Sequence, residues 1–451
     1  KLTVKPAANG MVITSLKDKN DYEWIKGESF IPFISKVKLG GRDGQWHYFE
    51  WIYVEQTYHE EVTMSENINS EKQTYIGKTM YWTFDYTDKT GMFDLHSIWY
   101  TQSDFASPIT HEIQIENKSG QKVYVLNADT LVTNLSKLSG ATVTNSYAYK
   151  SAMYTTNYGY RVDEVKNGYD MNVFCSTDYN NGMQIDAGYI PWVSLNQKAG
   201  SRQNGVYMGV MWSDCRIQVQ GVEDGVYVEA GLDEDFFTEI PEDNNYNVPA
   251  SFIGAYTGDV DDGSIEMKKW YYTFIMPECN RIDLNLPSFE YNLWEVLDSE
   301  RRSWRMSDEK FYDAVYDFAK IGVQEICIDT YWWKQVGDWR GVHEKWQSSM
   351  EYSSNFVNAL GMYFSLYMQA GNGLSDHSDA LTSNGVNGNP NWFARGEGLS
   401  WDEVCLADPD AFEYLVSYLK NYYMEFGLDG MRTDFGYIIG YCIKEGHQHI
   451  D

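Results

Sequence analysis

Residues 407–435 read ADPDAFEYLVSYLKNYYMEFGLDGMRTDF, a pattern that predicts a helix feeding a buried strand. Asp408 is a candidate N-cap, and Pro409 stands at the first helical position, where its missing N–H is not needed. Phe412, Leu415, Val416, Leu419 and Tyr423 recur at helical spacing, and Gly427 ends the pattern. LDGMRTDF (428–435) then reads as a strand. The same grammar holds upstream: FEYNLWE (289–295) predicts a strand, and SDEKFYDAVYDFAK (307–320) a helix. In that helix Phe311, Val315 and Phe318 share a face, and Ser307 is placed to cap the first turn. VQEICIDT (323–330) and MYFSLYMQ (362–369) are short, mainly apolar runs suited to buried parallel strands. Strand–helix–strand repetition implies βαβ units on a parallel sheet, either closed into a barrel or open and doubly wound. Neither G-x-G-x-x-G nor G-x-x-x-x-G-K-[ST] follows any of these strands, which counts against the nucleotide-binding versions. Long loops at 331–353 and 370–406 suit a barrel that carries an active site on its strand ends.

The preceding part of the chain is written in period two. YIGKTMYWTFDY (75–86), THEIQIENKSGQKVYVLNA (110–128) and GVYMGVMWSDCRIQVQGVEDGVYVEAG (205–231) alternate and are broken by N-K-S-G-Q or E-D-G. This predicts antiparallel strands and hairpins, with a large sandwich as the natural architecture. Asp259-Val-Asp-Asp-Gly263 lacks the third acidic ligand of a calcium loop and reads as a hairpin turn. The expected layout is multidomain β plus α/β. Residues 1–285 form an N-terminal antiparallel β-sandwich, and residues 286–451 form the first half of a (β/α)8 barrel.

A chain of 451 residues is long enough for two domains. Its formal net charge of −30 disfavours nucleic acid and anionic membrane surfaces as partners. The 36 Tyr and 16 Trp hint at sugar stacking, although the same rings fill sandwich cores. Cys175, Cys215, Cys279, Cys327, Cys405 and Cys442 form no C-x-x-C pair, which makes a disulfide framework or a zinc site improbable. His447 and His449 are two ligands and do not make a metal site, and His343 and His377 have no evident partner. There is no run of 18 apolar residues, and KLTVKPAANG lacks signal-peptide form. The chain reads as soluble, with earlier removal of an export signal and homo-oligomerisation both left open. The sequons Asn117-Lys-Ser and Asn134-Leu-Ser carry no weight by themselves.

In (β/α)8 enzymes the catalytic groups project from the C-terminal ends of different strands into one bowl. Here the first strand ends in Asn292, Trp294 and Glu295, the second in Asp329 followed by Tyr331, Trp332 and Trp333, the third in Gln369, and the fourth in Arg432 and Asp434. Each candidate strand runs from apolar residues into polar or aromatic ones at the same end. Arg432 and Asp434, two apart, share a face of their strand. A guanidinium there favours an ionised carboxylate and can bond sugar hydroxyls, although a structural ion pair fits equally well. Asp329 is either a cap or a grip on a pair of hydroxyls. Trp332, Trp333, Trp339, Trp346 and Trp392 crowd the following loops, and stacking is expected of one or two of them.

From Gly205 to Tyr441 the chain resembles glycoside hydrolase family 36, the α-galactosidases and their α-N-acetylgalactosaminidase relatives. Asn292-Leu-Trp294-Glu295, Ile328-Asp329-Thr330-Tyr331-Trp332, Gly337-Asp338-Trp339, Pro390-Asn391-Trp392, Asp408-Pro409 and Arg432-Thr433-Asp434-Phe435-Gly436 follow the family's motifs in order. VPASFIGAYTGDVDDG (248–263) looks like the end of the family's N-terminal sandwich. The resemblance implies that Asp434 is the nucleophile and that Arg432 stands where the family has a sugar-contacting Lys. Asp329 would hold hydroxyls in the −1 subsite, Trp332 and Trp339 would shape it, and Trp294 would line its floor. Thr330 replaces the second Asp of the family's D-D, and Leu366-Tyr-Met-Gln369 replaces its W-F-x-P-E-like motif. Thr330, Gln369 and Trp392 are carried as further substrate-binding positions, and the departures at Thr330, Arg432 and Gln369 widen the sugar to galactose, galactosamine or N-acetylgalactosamine.

These expectations amount to a retaining exo-α-glycosidase acting by double displacement on a carbohydrate with a terminal α-galactose-type residue, without cofactor or metal. A retaining mechanism needs a second carboxylate roughly 5 Å from the first. The stretch from Ser288 to Asp451 falls short of the roughly 250 residues of a whole barrel, so the acid/base residue is expected beyond Asp451. Two rivals remain: a glycan-binding barrel without turnover, and an α-glucosidase-type relative of the same clan.

Overall fold

The computed structural model describes residues 1–451 except 42, 67–73, 104, 127, 137–142, 151–158, 175–178, 181–183, 186–188, 213–214, 233–235, 276–288, 294–307, 330–331, 336–337, 343–345, 369–404, 407 and 434–451. It divides into two units, Lys1–Ile282 and Asp283–Asp451.

Antiparallel sheets make up the first unit. The largest has nine strands, in the spatial order Gly159–Glu164, Val143–Lys150, Tyr189–Ala199, Arg202–Val210, Asn245–Thr257, Ile109–Asn117, Phe93–Gln102, Thr74–Asp88 and Trp51–Glu66. Alternation decides which face goes inward. On Phe93–Gln102 the side chains of Phe93, Leu95, Ser97 and Trp99 are buried while their neighbours are partly exposed, and Ile109–Asn117 behaves likewise. Ile217, Val219, Val226, Val228, Val123, Val125, Ile13 and Ile31, from three smaller sheets, join the same apolar core. Two layers sharing one core make a sandwich.

The turn expectations divide. E-D-G closes the expected hairpin: Val222 pairs with Gly225, and Asp224 adopts a φ of 57° in the two-residue loop. N-K-S-G-Q does not. Ile109–Asn117 stays in the nine-stranded sheet, whereas Val123–Leu126 pairs with Lys36–Leu39 and Phe237–Ile240 in another. The turn is a corner between sheets, held by buried Asn117, whose Nδ2 donates to the carbonyls of Gln121 at 2.8 Å and Pro241 at 2.9 Å. The Asn117 sequon is thereby a structural Asn. The segment Asp259–Gly263 is also no hairpin turn. Asp259 caps the helix Val260–Trp270, accepting from the N–H groups of Asp261 and Asp262, while Asp262 accepts from Asp259 N. This is a capping box with Asp at both ends, where the usual pattern has Ser or Thr followed by Glu or Gln.

In the second unit four strands, Glu290–Asn292, Glu325–Ile328, Tyr363–Met368 and Gly430–Thr433, form a parallel sheet in chain order. Ile326, Ile328, Phe364 and Leu366 on one face pack with Phe311 and Val315 of the helix Asp308–Lys320, Met350 and Val357 of the helix Met350–Ala359, and Phe426 of the helix Pro409–Phe426. Fully burying side chains of this size stabilises by roughly 1.5–3 kcal/mol each.

Two expectations are corrected here. Met350–Ala359 overlaps a stretch read as loop; its apolar residues are sparse, and the start is set by Ser349, whose Oγ accepts from Tyr352 N at 3.1 Å. The last helix has its expected cap and Gly427 at a φ of 63°, but its buried line runs through Ala411, Leu419, Tyr423 and Phe426. Phe412 and Val416, expected inward, are 53% and 47% exposed.

Candidate functional site

Strand register sorts the second unit's sheet into two unlike faces. Asn292 pairs with Cys327, Cys327 with Ser365, and Ser365 with Gly430. Alternation then places Glu290 and Asn292, Glu325 and Cys327, Tyr363, Ser365 and Tyr367, and Gly430 and Arg432 on one face. Tyr291, Ile326, Ile328, Phe364, Leu366 and Met431 occupy the other, which the helices cover. Asp329 follows Ile328 directly and continues the first face.

Polar contacts gather on that face. Asn292 Nδ2 donates to Asp329 Oδ2 at 2.8 Å, joining the ends of the first and second strands. Arg432 on the fourth strand pairs with Glu290 on the first, Nη1 to Oε1 at 3.0 Å. Burial works against the Arg432 charge, yet Glu290 and Asp329 outweigh it and hold the guanidinium above its ordinary pKa. Asp329, Glu290 and Arg432 therefore share one electrostatic neighbourhood. Burial, with help from the same carboxylates, pushes the Cys327 thiol up to about 12. Cys327 is a neutral, buried thiol and not a nucleophile.

The Glu290–Arg432 pair also bears on shape. Adjacent strands lie about 4.8 Å apart, so the first and fourth strands of a flat sheet are separated by about 14 Å. Side chains stand roughly perpendicular to a sheet, so an ion pair across that span implies that the sheet curls towards this face.

Of the residues expected in the site, Asp329 and Arg432 lie on this face together. Trp332 does not: its ring is buried among the apolar residues, edge-on to Phe426 at 6.3 Å, and Nε1 donates to Tyr367 O at 2.8 Å. Trp346 is likewise core, tilted on Phe311 and donating to Ser353 Oγ at 3.1 Å. An indole held this way fills space and does not offer a platform. Trp339 falls on the strand Asp338–Val342, which pairs with Trp333–Gln335, but its side chain lies outside the described part. Asp434, Trp294, Thr330, Gln369 and Trp392 lie outside the described residues, as do His343, His377, His447 and His449. Sequence reading missed Glu290 as the partner of Arg432, although its position two residues before Asn292 already put it on the right face. Among the described residues no group of three His, Cys, Asp or Glu converges to hold a metal, and no helix is long and apolar enough to cross a membrane.

No family model matches the chain, and no curated protein matches it. Solved structures do. The galactosidase domain of the α-galactosidase–sucrose kinase AgaSK superposes with a TM-score of 0.66 at 13% identity, over 88% of this chain and 54% of that one. The α-galactosidase from Lactobacillus brevis gives 0.66 at 12% identity, over 93% and 54%. A variant of the family 36 α-galactosidase AgaA from Geobacillus stearothermophilus, solved in complex with raffinose, gives 0.70 at 12% identity, over 96% and 65%. The chain spans between about half and two thirds of the length of these proteins. At such identities the likeness is one of fold: the chain is mostly antiparallel β-sheet with few helices, folded like the glycoside hydrolase family 36 α-galactosidases.

Proposed function

We propose that the chain is the sandwich and the first half of the barrel of a retaining exo-α-glycosidase that removes a terminal α-galactose-type sugar. The observation that carries this reading is the gathering of Asn292, Asp329 and Arg432 on one face, towards the C-terminal ends of neighbouring parallel strands, where barrel enzymes keep their chemistry. Asp434, two residues beyond Arg432 in the sequence, is the nucleophile of this reading. It attacks the anomeric carbon and forms a glycosyl-enzyme, and a second carboxylate protonates the leaving oxygen and then activates water. Asp329, oriented by Asn292, grips hydroxyls of the sugar; Arg432 lies beside them, with Trp294, Thr330, Trp339, Gln369 and Trp392 as further contacts. Trp332 supports the strand end from the core.

Charge supports the same reading. At the strand ends Asp329 supplies negative charge, which stabilises the oxocarbenium-like transition state of glycoside cleavage, while Glu290 and Glu325 open their strands at the other end of the face. The binding-only rival draws on the same ion pair, since Glu290 engages the guanidinium that stands in for the family's Lys.

A 2-fluoro galactosyl fluoride separates these readings. Peptide mapping of the protein, assembled with whatever completes its barrel, should find the sugar on Asp434, and Asp434→Asn should lower kcat by about 10⁴-fold or more. Label on another carboxylate, or tight sugar binding with no turnover of α-galactoside, α-galactosaminide or α-N-acetylgalactosaminide, would overturn the proposal.

A further inference from the structure

The sandwich unit holds a cleft that the glycosidase reading does not use. It lies between the strand Leu2–Ala7 and one end of the nine-stranded sheet and measures about 490 Å³, within the range of roughly 300–1,000 Å³ for small-molecule sites.

Its floor is Phe84 and Trp99, both buried. Trp99 is locked from beneath: it stacks on His111 with ring centroids 4.1 Å apart, and its Nε1 donates to Ser97 Oγ at 3.1 Å. His111 Nδ1 lies 2.5 Å from Thr130 O and Nε2 lies 2.8 Å from Ser97 Oγ. A carbonyl only accepts, so Nδ1 carries the proton and Nε2 accepts from the serine. Burial pushes the His111 pKa down to about 4, which keeps the ring neutral and this lock closed at neutral pH. One wall is Trp82, partly exposed and tilted on Tyr58 at 5.2 Å. Polar groups close the cleft: Gln56, Thr101, whose hydroxyl donates to Pro108 O at 2.9 Å, and Ser107. Ser107 Oγ is buried and has no hydrogen-bond partner among the described residues, an arrangement that costs about 1–3 kcal/mol unless something bonds it. The described lining includes Lys1 but no carboxylate, in a chain with 65 acidic residues.

We propose that this cleft binds a neutral saccharide unit, as an accessory site separate from the parallel-sheet face. The partly exposed indole of Trp82, held beside the packed Trp99 and Phe84, suits the C–H face of a pyranose ring, whose edge hydroxyls would meet Gln56, Thr101 and Ser107. A purely apolar ligand would leave Ser107 unpaired and take Gln56 out of water without a partner, and the missing carboxylates disfavour a cation.

The test is a titration of the intact chain with methyl α-galactoside and methyl α-glucoside, with glucuronate as a charged control, read by saturation-transfer NMR and calorimetry. At least one neutral glycoside should bind with a dissociation constant of the order of millimolar. Trp82→Ala and Gln56→Ala should each weaken that binding about tenfold, while Asp329→Ala should leave it in place. Gln56 is exposed, so its variant keeps the test valid if the Trp82 variant fails to fold. Absence of neutral-glycoside binding below about 100 mM, or binding lost in Asp329→Ala and kept in both cleft variants, overturns the proposal. The second result would leave the glycosidase reading standing.

Discussion

The two units bury polar groups in opposite ways. In the sandwich they sit mid-strand or at corners between sheets and are closed off by the fold itself. His111 lies between Ser97 and Thr130, Asn117 feeds carbonyls of a neighbouring connection, and Arg216 pairs with Asp129 at 3.1 Å and Glu229 at 2.8 Å. In the parallel unit the polar groups take one face of a sheet, with an excess of carboxylates, while the other face is given over to helices. Position in the architecture therefore says more than burial. A charge paired in the middle of a sandwich is scaffolding, whereas polar groups gathered on the helix-free face of a parallel sheet, at its strand ends, have chemistry as their simplest use.

The largest effect that would sharpen this contrast concerns the helix-covered face. Phe364 is fully buried between the sheet and Phe311. Phe364→Ala should cost about 3–5 kcal/mol, seen as an early loss of the second unit's transition in urea while the sandwich transition stays where it was. Coincident shifts in both would show that the units unfold as one.

Next in size is a pH effect confined to the sandwich. His111 titrates near 4 when folded, against 6.5 for an ordinary histidine. Between these values the unfolded chain binds a proton that the folded one refuses, so stability is full above pH 6.5 and falls as the pH drops towards 4. The loss reaches about 3 kcal/mol by pH 4. Because many carboxylates titrate in the same window, the measurement is the difference between the wild type and His111→Gln in urea midpoint at pH 7 and pH 4. An identical pH dependence in the two proteins would remove His111 from the account.

How much of this could be read beforehand follows from which physical signals are local. All four parallel strands and the helices at 308–320 and 409–426 are legible because period, cap and stop coincide within a few residues. The sandwich texture was equally plain, but strand partners were not. N-K-S-G-Q has a hairpin's composition, and only the distant carbonyl of Pro241 reveals that Asn117 turns a corner. At Asp259 a run of acidic residues suits a turn and a capping box alike, and the structure takes the capping box. On the candidate site, the place of Asp329 and Arg432 at strand ends is legible from the sequence. Trp332 and Trp346 were not separated from surface tryptophans, because composition cannot say which way an indole turns. Glu290 was missed because its partner lies three strands away in the sheet.

The smallest expected effect tests the geometry that links sheet to site. Glu290 and Arg432 are partly exposed, so their ion pair is worth only about 0.2–1 kcal/mol. Glu290→Gln alone should therefore leave overall stability almost unchanged. The informative quantity is the coupling in a double-mutant cycle with Arg432→Gln, taken on the second unit's transition at low salt and repeated at high salt. A coupling in that range, reduced by salt, is the signature of two side chains meeting across the face of a curled sheet. Zero coupling at low salt would show that this pair does not hold the first strand to the fourth, and the half-barrel reading would lose the energetic support for a curled sheet.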